Sequence, residues 1–311
     1  MELVRGLYNL RAEHRGCAVT IGNFDGVHLG HRATLEQLRE HARLIDMPAT
    51  VLTFEPTPRE FLSPARAPAR LTRLREKLVL LQRERIGRCV VLRFDSHLQQ
   101  VRAQQFIERL LVGKLGARRI VVGHDFRFGY RGEADIEVLR AAAPKHGFEV
   151  DIVEPLMLDG VRVSSTAVRE ALAGGDLAGA ARLLGRPYSM QGRVVAGERL
   201  GHKLGFPTAN LRLHRRVAPL GGIFAVRVRG VETRPLPGVA SLGTRPTVNG
   251  TEPLLEAHIF DFAGDLYRRH LEVEFVEKLR EERKFASLEA MVVQMHEDAR
   301  RARQVLSVTR D

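Results

Sequence analysis

The segment Gly22-Asn-Phe-Asp-Gly-Val-His-Leu-Gly-His31 decides the fold of the first half of the chain. It follows an apolar run, Cys17-Ala-Val-Thr-Ile21, that predicts a buried strand, and it leads into the pattern of an amphipathic helix. The apolar positions of that helix are Leu35, Leu38, Ala42 and Ile45. His28 and His31 stand three residues apart at the helix start, so both rings can lie beside the N–H groups of its first turn. A strand, a glycine-rich turn and a helix in this order predict a phosphate-binding corner, with two surface histidines at an ordinary turn as the alternative.

Apolar runs and amphipathic helices alternate through the rest of the first half. Strands are predicted at Ala49–Phe54, Arg88–Leu92 and Arg118–Gly123, with helices between them at Arg73–Arg85 and Ala103–Leu115. This alternation predicts a parallel sheet with helices on both faces. In such sheets ligands bind at the carboxyl ends of the strands, where the glycine-rich turn after Ile21 and the turn after Val122 are both expected to open.

The second half of the chain has a different pattern. A helix rich in alanine and glycine is predicted from Ala171 to Leu184, and the Gly185-Arg-Pro187 that ends it predicts a domain boundary between residues 1–184 and 185–311. Short alternating runs bounded by Gly and Pro then predict an antiparallel barrel, at Phe224–Arg229, Leu255–Ile259 and Leu271–Phe275. A terminal helix follows, with Ser287 as its N-cap and a predicted buried stripe of Leu288, Met291, Val292, Met295 and Ala299.

Composition agrees with two globular domains and indicates in which cellular compartment the protein is expected. The chain has 311 residues, 44% of them hydrophobic, which is longer than most single domains. No apolar stretch approaches the roughly 18 residues that a membrane span needs, and Met1–Tyr8 lacks the basic head and apolar core of a signal peptide. Cys17 and Cys89 lie in apolar runs, which predicts buried thiols rather than a disulfide. We therefore expect a cytoplasmic protein with no membrane partner.

The chain resembles one family over nearly its whole length. It is similar to the adenylyltransferase module of bacterial bifunctional riboflavin kinase/FAD synthetases, a branch of the HxGH nucleotidyltransferases, in Thr20–His31, Thr53-Phe-Glu-Pro56, Val122-Gly-His-Asp-Phe-Arg-Phe-Gly129 and Val163-Ser-Ser-Thr-Ala-Val-Arg169. It resembles the riboflavin kinase module in Gly192-Arg-Val-Val195 and Gly201–Asn210. The resemblance implies a Rossmann-like α/β nucleotidyltransferase domain, followed by a mainly antiparallel β-barrel riboflavin kinase domain with a terminal helix.

For the first module, the resemblance implies that His28 and His31 stabilise charge growing on the α-phosphate and that Arg169 holds the leaving pyrophosphate. Hydroxyls for the phosphates are expected from Ser164, Ser165 and Thr166, although an ordinary helix N-cap followed by an exposed arginine is the alternative. Further nucleotide-binding positions are expected at Gly22, Asn23, Phe24, Asp25 and Asp125. The rings of Phe126 and Phe128 are suited equally to stacking on flavin or adenine and to core packing.

Two positions depart from the family pattern. Where the family usually reads Phe-x-Pro-His-Pro, the chain has Phe54-Glu-Pro-Thr-Pro58, so Thr57 keeps a hydrogen-bonding group but lacks an imidazole. This departure bears on a role in charge stabilisation at that position and not on the fold. In Gly222-Ile-Phe224 a phenylalanine stands where tyrosine is common, and the missing hydroxyl should matter little if the ring only packs.

For the second module, the resemblance implies a kinase site without a Walker A loop, because Lys203 is followed by Leu204 rather than Ser or Thr. Gly201, Lys203 and Gly205 are expected to form a loop over the phosphates. The oxygen atoms of Thr208 and Asn210 suit Mg²⁺ beside ATP, with an ordinary turn as the alternative. The resemblance places the general base at Glu256, on the opposite strand face from its apolar neighbours, and lets Arg280 help to hold ligand.

These observations favour an enzyme that converts riboflavin to FMN and FMN to FAD, with ATP as co-substrate and Mg²⁺ as cofactor. The alternative enzyme is a nucleotidyltransferase acting on another small phosphate ester, with a second module that only binds. A weak homo-oligomer is compatible with the sequence. The net charge of +12 suggests a competing class, a basic protein that binds nucleic acid. Against this class, the basic residues are interspersed with acidic ones and no nucleic-acid-binding motif is present.

The basic charge is therefore expected to serve nucleotides rather than a specific nucleic acid. Binding to a random DNA duplex at physiological salt should be no tighter than about 10⁻⁴ to 10⁻⁶ M, the non-specific range. A mobility-shift titration at several salt concentrations measures it. Nanomolar binding that survives moderate salt would contradict this prediction.

Overall fold

The computed structural model describes residues 1–197, 204–247 and 250–308. These residues form two compact units. The first contains Met1–Pro68 and Thr72–Ser164, and the second contains Ala69–Leu71 together with the described residues from Ser165 onward. The helices between Ser165 and Leu184 group with the second unit. The domain boundary expected at residue 185 stays a prediction.

The first unit is built on a six-stranded parallel sheet. Its strands are β1 (Glu2–Arg5), β2 (Cys17–Ile21), β3 (Ala49–Phe54), β4 (Arg88–Leu92), β5 (Ala117–Gly123) and β6 (Glu149–Val153). They lie in the order β1-β4-β3-β2-β5-β6, and every neighbouring pair is parallel. The parallel sheet is thus confirmed, and the three strands predicted at residues 17–21, 49–54 and 88–92 have the predicted bounds.

Helices enclose this sheet on both faces, as predicted. They are α1 (Leu29–Leu44), α2 (Pro58–Leu62), α3 (Leu74–Arg83), α4 (Ser96–Gln99), α5 (Ala103–Gln105), which continues as a π-helix over Phe106–Lys114, and α6 (Ile136–His146). Successive residues of β2 face opposite ways. Val19 joins a core with Leu110 and Leu139, whereas Ala18 joins a second core with Leu35 and Leu81. A two-residue hairpin, β7 (Met157–Leu158) with β8 (Val161–Arg162), completes the unit.

The single helix predicted from Ala171 to Leu184 is wrong. The structure has two helices, α7 (Ser165–Ala173) and α8 (Leu177–Leu184). Gly175 between them has φ of +77°, and a Cβ atom there would lie 2.9 Å from the Lys278 side chain. Asp176 then starts α8, because its carboxylate accepts a hydrogen bond of 2.8 Å from the Gly179 N–H. The break is set by local backbone geometry that helix-favouring composition does not reveal.

The second unit contains the predicted antiparallel barrel. Its strands are β9 (Ser189–Val195), β10 (Ala209–Arg212), β11 (Gly222–Arg229), β12 (Leu236–Thr247), β13 (Gly250–Ile259) and β14 (His270–Arg280). They close in the order β10-β13-β12-β11-β14-β9, with β9 paired to β10. Phe224 is fully buried and meets Phe275 edge to face, with ring centroids 5.1 Å apart. The ring at this departure from the family pattern therefore packs.

The terminal helix α9 (Leu288–Val308) follows the barrel. Ser287 caps it as predicted, because its hydroxyl oxygen accepts a hydrogen bond of 3.2 Å from the Ala290 N–H. The predicted stripe is wrong at Leu288, which is 48% exposed, and its other four members are only half-buried. The buried contacts come later, from Ala302 and Leu306, which join the core of the barrel wall. A helix can show apolar spacing over its whole length yet bury only the turns that reach the sheet.

Both cysteines are free and buried, as predicted. Burial raises the pKa of Cys17 to about 11 and that of Cys89 to about 12, so both stay thiols at neutral pH. Within the described residues, no helix combines the length and apolar character that crossing a membrane requires.

The packing of Phe224 yields a stability prediction for the barrel. Phe224→Ala should lower the unfolding free energy of the barrel by about 3–5 kcal/mol, because it removes a ring from a closed core. Native-state hydrogen exchange of the β11 and β14 amides measures this free energy without requiring both units to unfold together. The matched control is Val293→Ala, at a position that is 69% exposed, which should change it by no more than about 0.5 kcal/mol. Equal effects of the two substitutions would contradict the packing role of Phe224.

Candidate active sites

A cavity of about 900 Å³ opens in the first unit where β2, β3, β5 and β6 end. The residues at these strand ends that line it are Ile21, Phe54, Gly123 and Val153. This is the edge of the sheet where a parallel α/β fold binds its ligand. The cavity brings together seven of the predicted site residues, Gly22, Asn23, Phe24, His28, His31, Asp125 and Ser164.

The two histidines form a stacked pair at the start of α1. His28 is the N-cap, and its Nδ1 accepts a hydrogen bond of 3.3 Å from the His31 backbone N–H. The ring centroids lie 3.6 Å apart, with the planes inclined by 20°. A Cβ atom at Gly30 would lie 3.2 Å from both the His28 ring and the Val163 carbonyl oxygen, so a glycine there leaves room for the stacked pair. Because Nδ1 of His28 accepts, the proton of the neutral ring is on Nε2.

The turn before the histidines is strained. Phe24 and Val27 are buried and adopt φ of +47° and +43°, in the left-handed region that side chains other than glycine rarely occupy. Asp25 between them is also buried, and its carboxylate accepts hydrogen bonds from the Thr72 backbone N–H at 2.8 Å and hydroxyl at 3.2 Å. The Gly26 N–H in turn donates to the Thr72 hydroxyl oxygen at 2.9 Å. Asp25 thus holds the turn in shape, and its direct binding of a ligand stays a prediction.

The protein environment of His31 disfavours the charged form of its imidazole. Burial, then the charges of His28 and Lys77, hold its pKa well below the ordinary value. Its Nδ1 is enclosed and has no hydrogen-bond partner among the residues that the structure describes. An enclosed polar atom in a cavity wall is a position that a ligand atom can satisfy. At neutral pH the ring is therefore a neutral hydrogen-bonding group facing the cavity.

Two polar residues at the cavity have partners within the protein. The Asn23 side chain is exposed, and its backbone carbonyl accepts a hydrogen bond of 3.4 Å from the Thr53 hydroxyl. Asp125 accepts a hydrogen bond of 2.6 Å from Nη2 of Arg162. Partial burial raises the Asp125 pKa, but Arg162 and the charge of His124 outweigh it, so the pKa lies below the ordinary value. Asp125 is thus ionised at neutral pH and tied to a cation beside the cavity.

The other predicted phosphate residues lie in the second unit. Ser165 begins α7, Thr166 follows it, and Arg169 is half-buried on the same helix. The Arg169 Nε donates a hydrogen bond of 2.7 Å to the Ala69 carbonyl oxygen. The phosphate-binding roles of these three residues stay predictions.

Sequence reasoning missed much of the cavity wall. Apolar residues at the strand ends or after them form one part of it, including Phe54, Phe94, Leu98 and Leu156. Basic residues form another part, Arg59, Arg127, Arg131 and Arg162. Phe126 lies in the wall and stacks on Phe128 at 5.5 Å, while Phe128 is buried against Phe106. The sequence signal that could have identified Phe54 and Phe94 is their position, at the last residue of one buried strand and just after another.

Thr57, at the first departure from the family, has a structural role. It stands just before α2, where its backbone N–H and its hydroxyl both donate to Oε2 of Glu60, at 2.9 and 3.0 Å. Among the described residues that line the cavity are Pro58 and Arg59 but not Thr57. The hydroxyl therefore serves the first turn of the helix.

The second unit has its own cavity, of about 590 Å³, where β9, β10 and β13 meet the loop at Phe262–Tyr267. Thr208 and Asn210 both line it. Among the described residues, no three His, Cys, Asp or Glu side chains are grouped to hold a metal ion. Two neutral oxygen donors fit Mg²⁺ that arrives with nucleotide phosphates, because Mg²⁺ keeps several waters and needs few protein ligands.

Glu256 lies directly opposite Asn210 in the β10–β13 pairing, and opposite Ser241 in the β12–β13 pairing. It is half-buried on the same strand face as His258, while Leu255 and Ala257 are buried on the other, which confirms the predicted alternation. Directly opposed residues in antiparallel strands have Cβ atoms about 4.5–5.5 Å apart and share a face. A carboxylate and a predicted metal ligand are thus brought together from different strands.

The structure gives less information on the other residues predicted for the kinase site. Gly201 and Lys203 lie outside the described residues, and Gly205 is exposed. Arg280 contacts the terminal helix, where its Nε and Nη2 donate to the Asp298 carboxylate at 3.0 and 2.7 Å. Its role in holding ligand stays a prediction.

Comparisons with known proteins agree with this division into two modules. The FAD synthetase family model matches residues 10–167, and the riboflavin kinase family model matches residues 184–306. The bifunctional riboflavin kinase/FMN adenylyltransferase of Escherichia coli (strain K12) is 47% identical over 100% of this chain and 99% of its own length. That of Pseudomonas fluorescens is 49% identical over 97% of each chain. The chain therefore belongs to the family of bifunctional riboflavin kinase/FMN adenylyltransferases.

A crystal structure also matches nearly the whole chain. It is described as a macrolide-efflux protein from Streptococcus pneumoniae, is 29% identical, and superposes with a TM-score of 0.80 over 96% of this chain and 97% of that one. The likeness extends the shared architecture through both modules.

The contacts of Thr57 yield a prediction for the adenylyl transfer expected from the sequence. Thr57→His should leave that rate within about tenfold, or roughly 1.4 kcal/mol in barrier, because the native side chain serves the helix and not the cavity. The rate of FAD formation from supplied FMN and ATP measures it. Thr57→Ala is the control for loss of the hydroxyl alone. A gain beyond tenfold in the histidine variant would mean that this module lacks a group that its relatives use.

Proposed function

We propose that this chain phosphorylates riboflavin to FMN with ATP and then adenylylates FMN to FAD, releasing pyrophosphate. The observation that carries the proposal is that the chain matches bifunctional relatives over its full length while each unit contains its own cavity. Two reactions on two different phosphorus atoms of ATP need two differently built sites, and the two cavities are lined by different chemical groups.

In the kinase step, the carboxylate of Glu256 accepts the proton of the primary hydroxyl of the ribityl chain. The freed oxygen forms a bond to the γ-phosphorus of ATP, and the bond between that phosphorus and the β,γ-bridging oxygen breaks, leaving ADP. Thr208 and Asn210 would hold Mg²⁺ beside the phosphates. When bound, the ion neutralises phosphate charge. Asn210 lies across from Glu256, so the base and the ligand of the ion are held in one register.

In the adenylylation step, a phosphate oxygen of FMN attacks the α-phosphorus of ATP, and the bond to the pyrophosphate oxygen breaks. The nucleophile already carries negative charge, so this step needs no general base. Nε2–H of His28 and the neutral ring of His31 are suited to donate to the α-phosphate oxygens as charge grows on them. Arg169 is proposed to hold the pyrophosphate, and the hydroxyls of Ser164, Ser165 and Thr166 to position the phosphates.

The proposal also covers the cellular compartment, the partners and the oligomeric state of the protein. Two buried free thiols and no disulfide between them suit a reducing compartment, so we place the protein in the cytoplasm. The mixed charges along the helices, such as Arg300 paired with Glu297 at 2.6 Å, support small nucleotides rather than nucleic acid as partners. A weak homo-oligomer stays a prediction.

A single product assay tests the proposal. The protein is incubated with riboflavin, labelled ATP and Mg²⁺, and FMN and FAD are separated over time. FMN should appear first and FAD later, and omission of Mg²⁺ should stop FMN formation. Formation of neither product would overturn the proposed function. Transfer of the label to another phosphate ester, with no FMN formed, would favour the alternative of a nucleotidyltransferase with a binding-only second module.

The two chemistries should separate by residue. The double substitution His28→Ala with His31→Ala should abolish FAD formation while riboflavin is still converted to FMN, because the kinase step does not involve the α-phosphate. Glu256→Ala should slow FMN formation by about 10² to 10⁴, the usual contribution of a general base. It should still make FAD from supplied FMN, whose ribityl hydroxyl is already esterified.

Rates from supplied FMN and from riboflavin, measured on both variants, check this separation. Glu256→Gln is the matched control, because it keeps the shape of the side chain and removes its basicity. Loss of FAD synthesis from supplied FMN in folded Glu256→Ala would show that the two sites are not independent.

A further inference from the structure

Lys77 is the most unusual side chain of the first unit. It is on α3, only 1% exposed, and the largest of the fully buried side chains among the described residues. It stands at the third position after Leu74 and four before Leu81, on the apolar stripe of the helix. Enclosing an ammonium group is costly where leucine would pack without penalty. A buried cation at such a position is therefore a candidate for a functional role.

The contacts of Lys77 lead to the glycine-rich turn. Its Nζ lies 3.4 Å from the hydroxyl oxygen of Thr53, which is buried on β3 one residue before the strand ends. That hydroxyl donates at 3.4 Å to the carbonyl oxygen of Asn23, which lines the cavity. Two long hydrogen bonds, each of 3.4 Å, thus join the ammonium to the turn that precedes the histidine pair.

The charge of Lys77 also acts on His31. Burial is the largest influence on this imidazole, followed by His28 and then Lys77, and all three lower its pKa. Phe24 packs against the other side of the ring, with centroids 5.1 Å apart. The charged side chains elsewhere in the cavity wall are Asp125, Glu154, Arg59, Arg127, Arg131 and Arg162.

We infer that Lys77 is a positioning residue for adenylylation, which fixes the Asn23 turn through Thr53 and whose ammonium group acts on the His31 ring. This inference rests on the proposed function of the first unit. The α-phosphate then meets two rings whose orientation is set by hydrogen bonding and stacking. Lys77 itself transfers no proton and forms no bond in the reaction.

The test compares Lys77→Met, Thr53→Val and, as a control for loss of one positive charge from the same helix, Arg83→Met at an exposed position. The His31 imidazole is followed by NMR during pH titration, with its signal assigned by its loss in His31→Gln. In Lys77→Met the titration midpoint should rise by about one pH unit, because a like charge has been removed. In Thr53→Val and Arg83→Met the midpoint should match the wild type.

The rate of FAD formation from supplied FMN is measured on the same proteins. It should fall about tenfold to a hundredfold in both Lys77→Met and Thr53→Val, because misplacement of the turn displaces the reacting groups. FMN formation from riboflavin should stay within about twofold in all three variants and reports that the chain is folded. A purely structural lysine would lower stability without moving the His31 midpoint.

An unchanged His31 midpoint in folded Lys77→Met, or wild-type FAD formation in Thr53→Val, would overturn the inference. If Lys77→Met does not fold, Thr53→Val decides the matter through its rate alone. Failure of the proposed function is distinguishable, because wild-type protein would then make no FAD from FMN. The NMR titration would still report whether Lys77 acts on His31.

Discussion

The hydrogen bond from the His31 backbone N–H to Nδ1 of His28 organises the nucleotide-binding end of the first unit. It begins α1, because it satisfies one of the N–H groups that the helix cannot pair internally. It also fixes the tautomer of His28, and it brings the second ring into the stack at 3.6 Å. One backbone contact therefore determines where the helix starts, which nitrogen of the neutral His28 ring carries a proton and how the two rings are arranged at the cavity. The strained turn before it is tolerated because buried Asp25 and Thr72 hold that backbone in place.

The barrel brings Glu256 and Asn210, which we propose as base and ion ligand, from separate strands onto one face. Side chains alternate along a strand, so slipping β13 by one residue against β10 would bring Leu255 or Ala257 opposite Asn210 in place of Glu256. The apolar residues on either side of Glu256 oppose such a slip, because their burial would be lost. Packing of the barrel interior therefore also keeps Glu256 aligned with Asn210, the two groups proposed for the kinase step.

Strong periodic signals made much of this architecture predictable from sequence. The central strands β2, β3 and β4 are predominantly apolar, and their bounds followed from the pattern alone. In the barrel, the alternating runs predicted parts of β11, β13 and β14, whereas β9, β10 and β12 were not predicted. The edge strands β1 and β6 have no such signal, because Glu2–Arg5 and Glu149–Val153 mix charged and apolar residues on a partly exposed border. Likewise Leu288 follows the helical spacing of α9 but lies beyond the reach of the barrel core.

The candidate sites were predictable to a similar degree. Residues within motifs, such as His28, Asn210 and Glu256, line the cavities or lie beside them. The side chains that shape the cavity wall come from many separate segments, and spacing in sequence does not relate Phe54 to Leu156. Lys77 was not predicted as a site residue, because charged residues on a helix are usually assigned to its solvent face.

The order of strands in the two sheets also has a consequence for synthesis on the ribosome. The parallel sheet is complete once β6 has emerged, at Val153. In the barrel, β9 is the first strand made, yet it pairs with both β10 and β14, and β14 ends only at Arg280. The barrel therefore closes only after β14 has left the exit tunnel, whereas the sheet can form earlier in translation. Until then the edges of the barrel strands are unpaired, and the chain is most exposed to misfolding and to capture by chaperones.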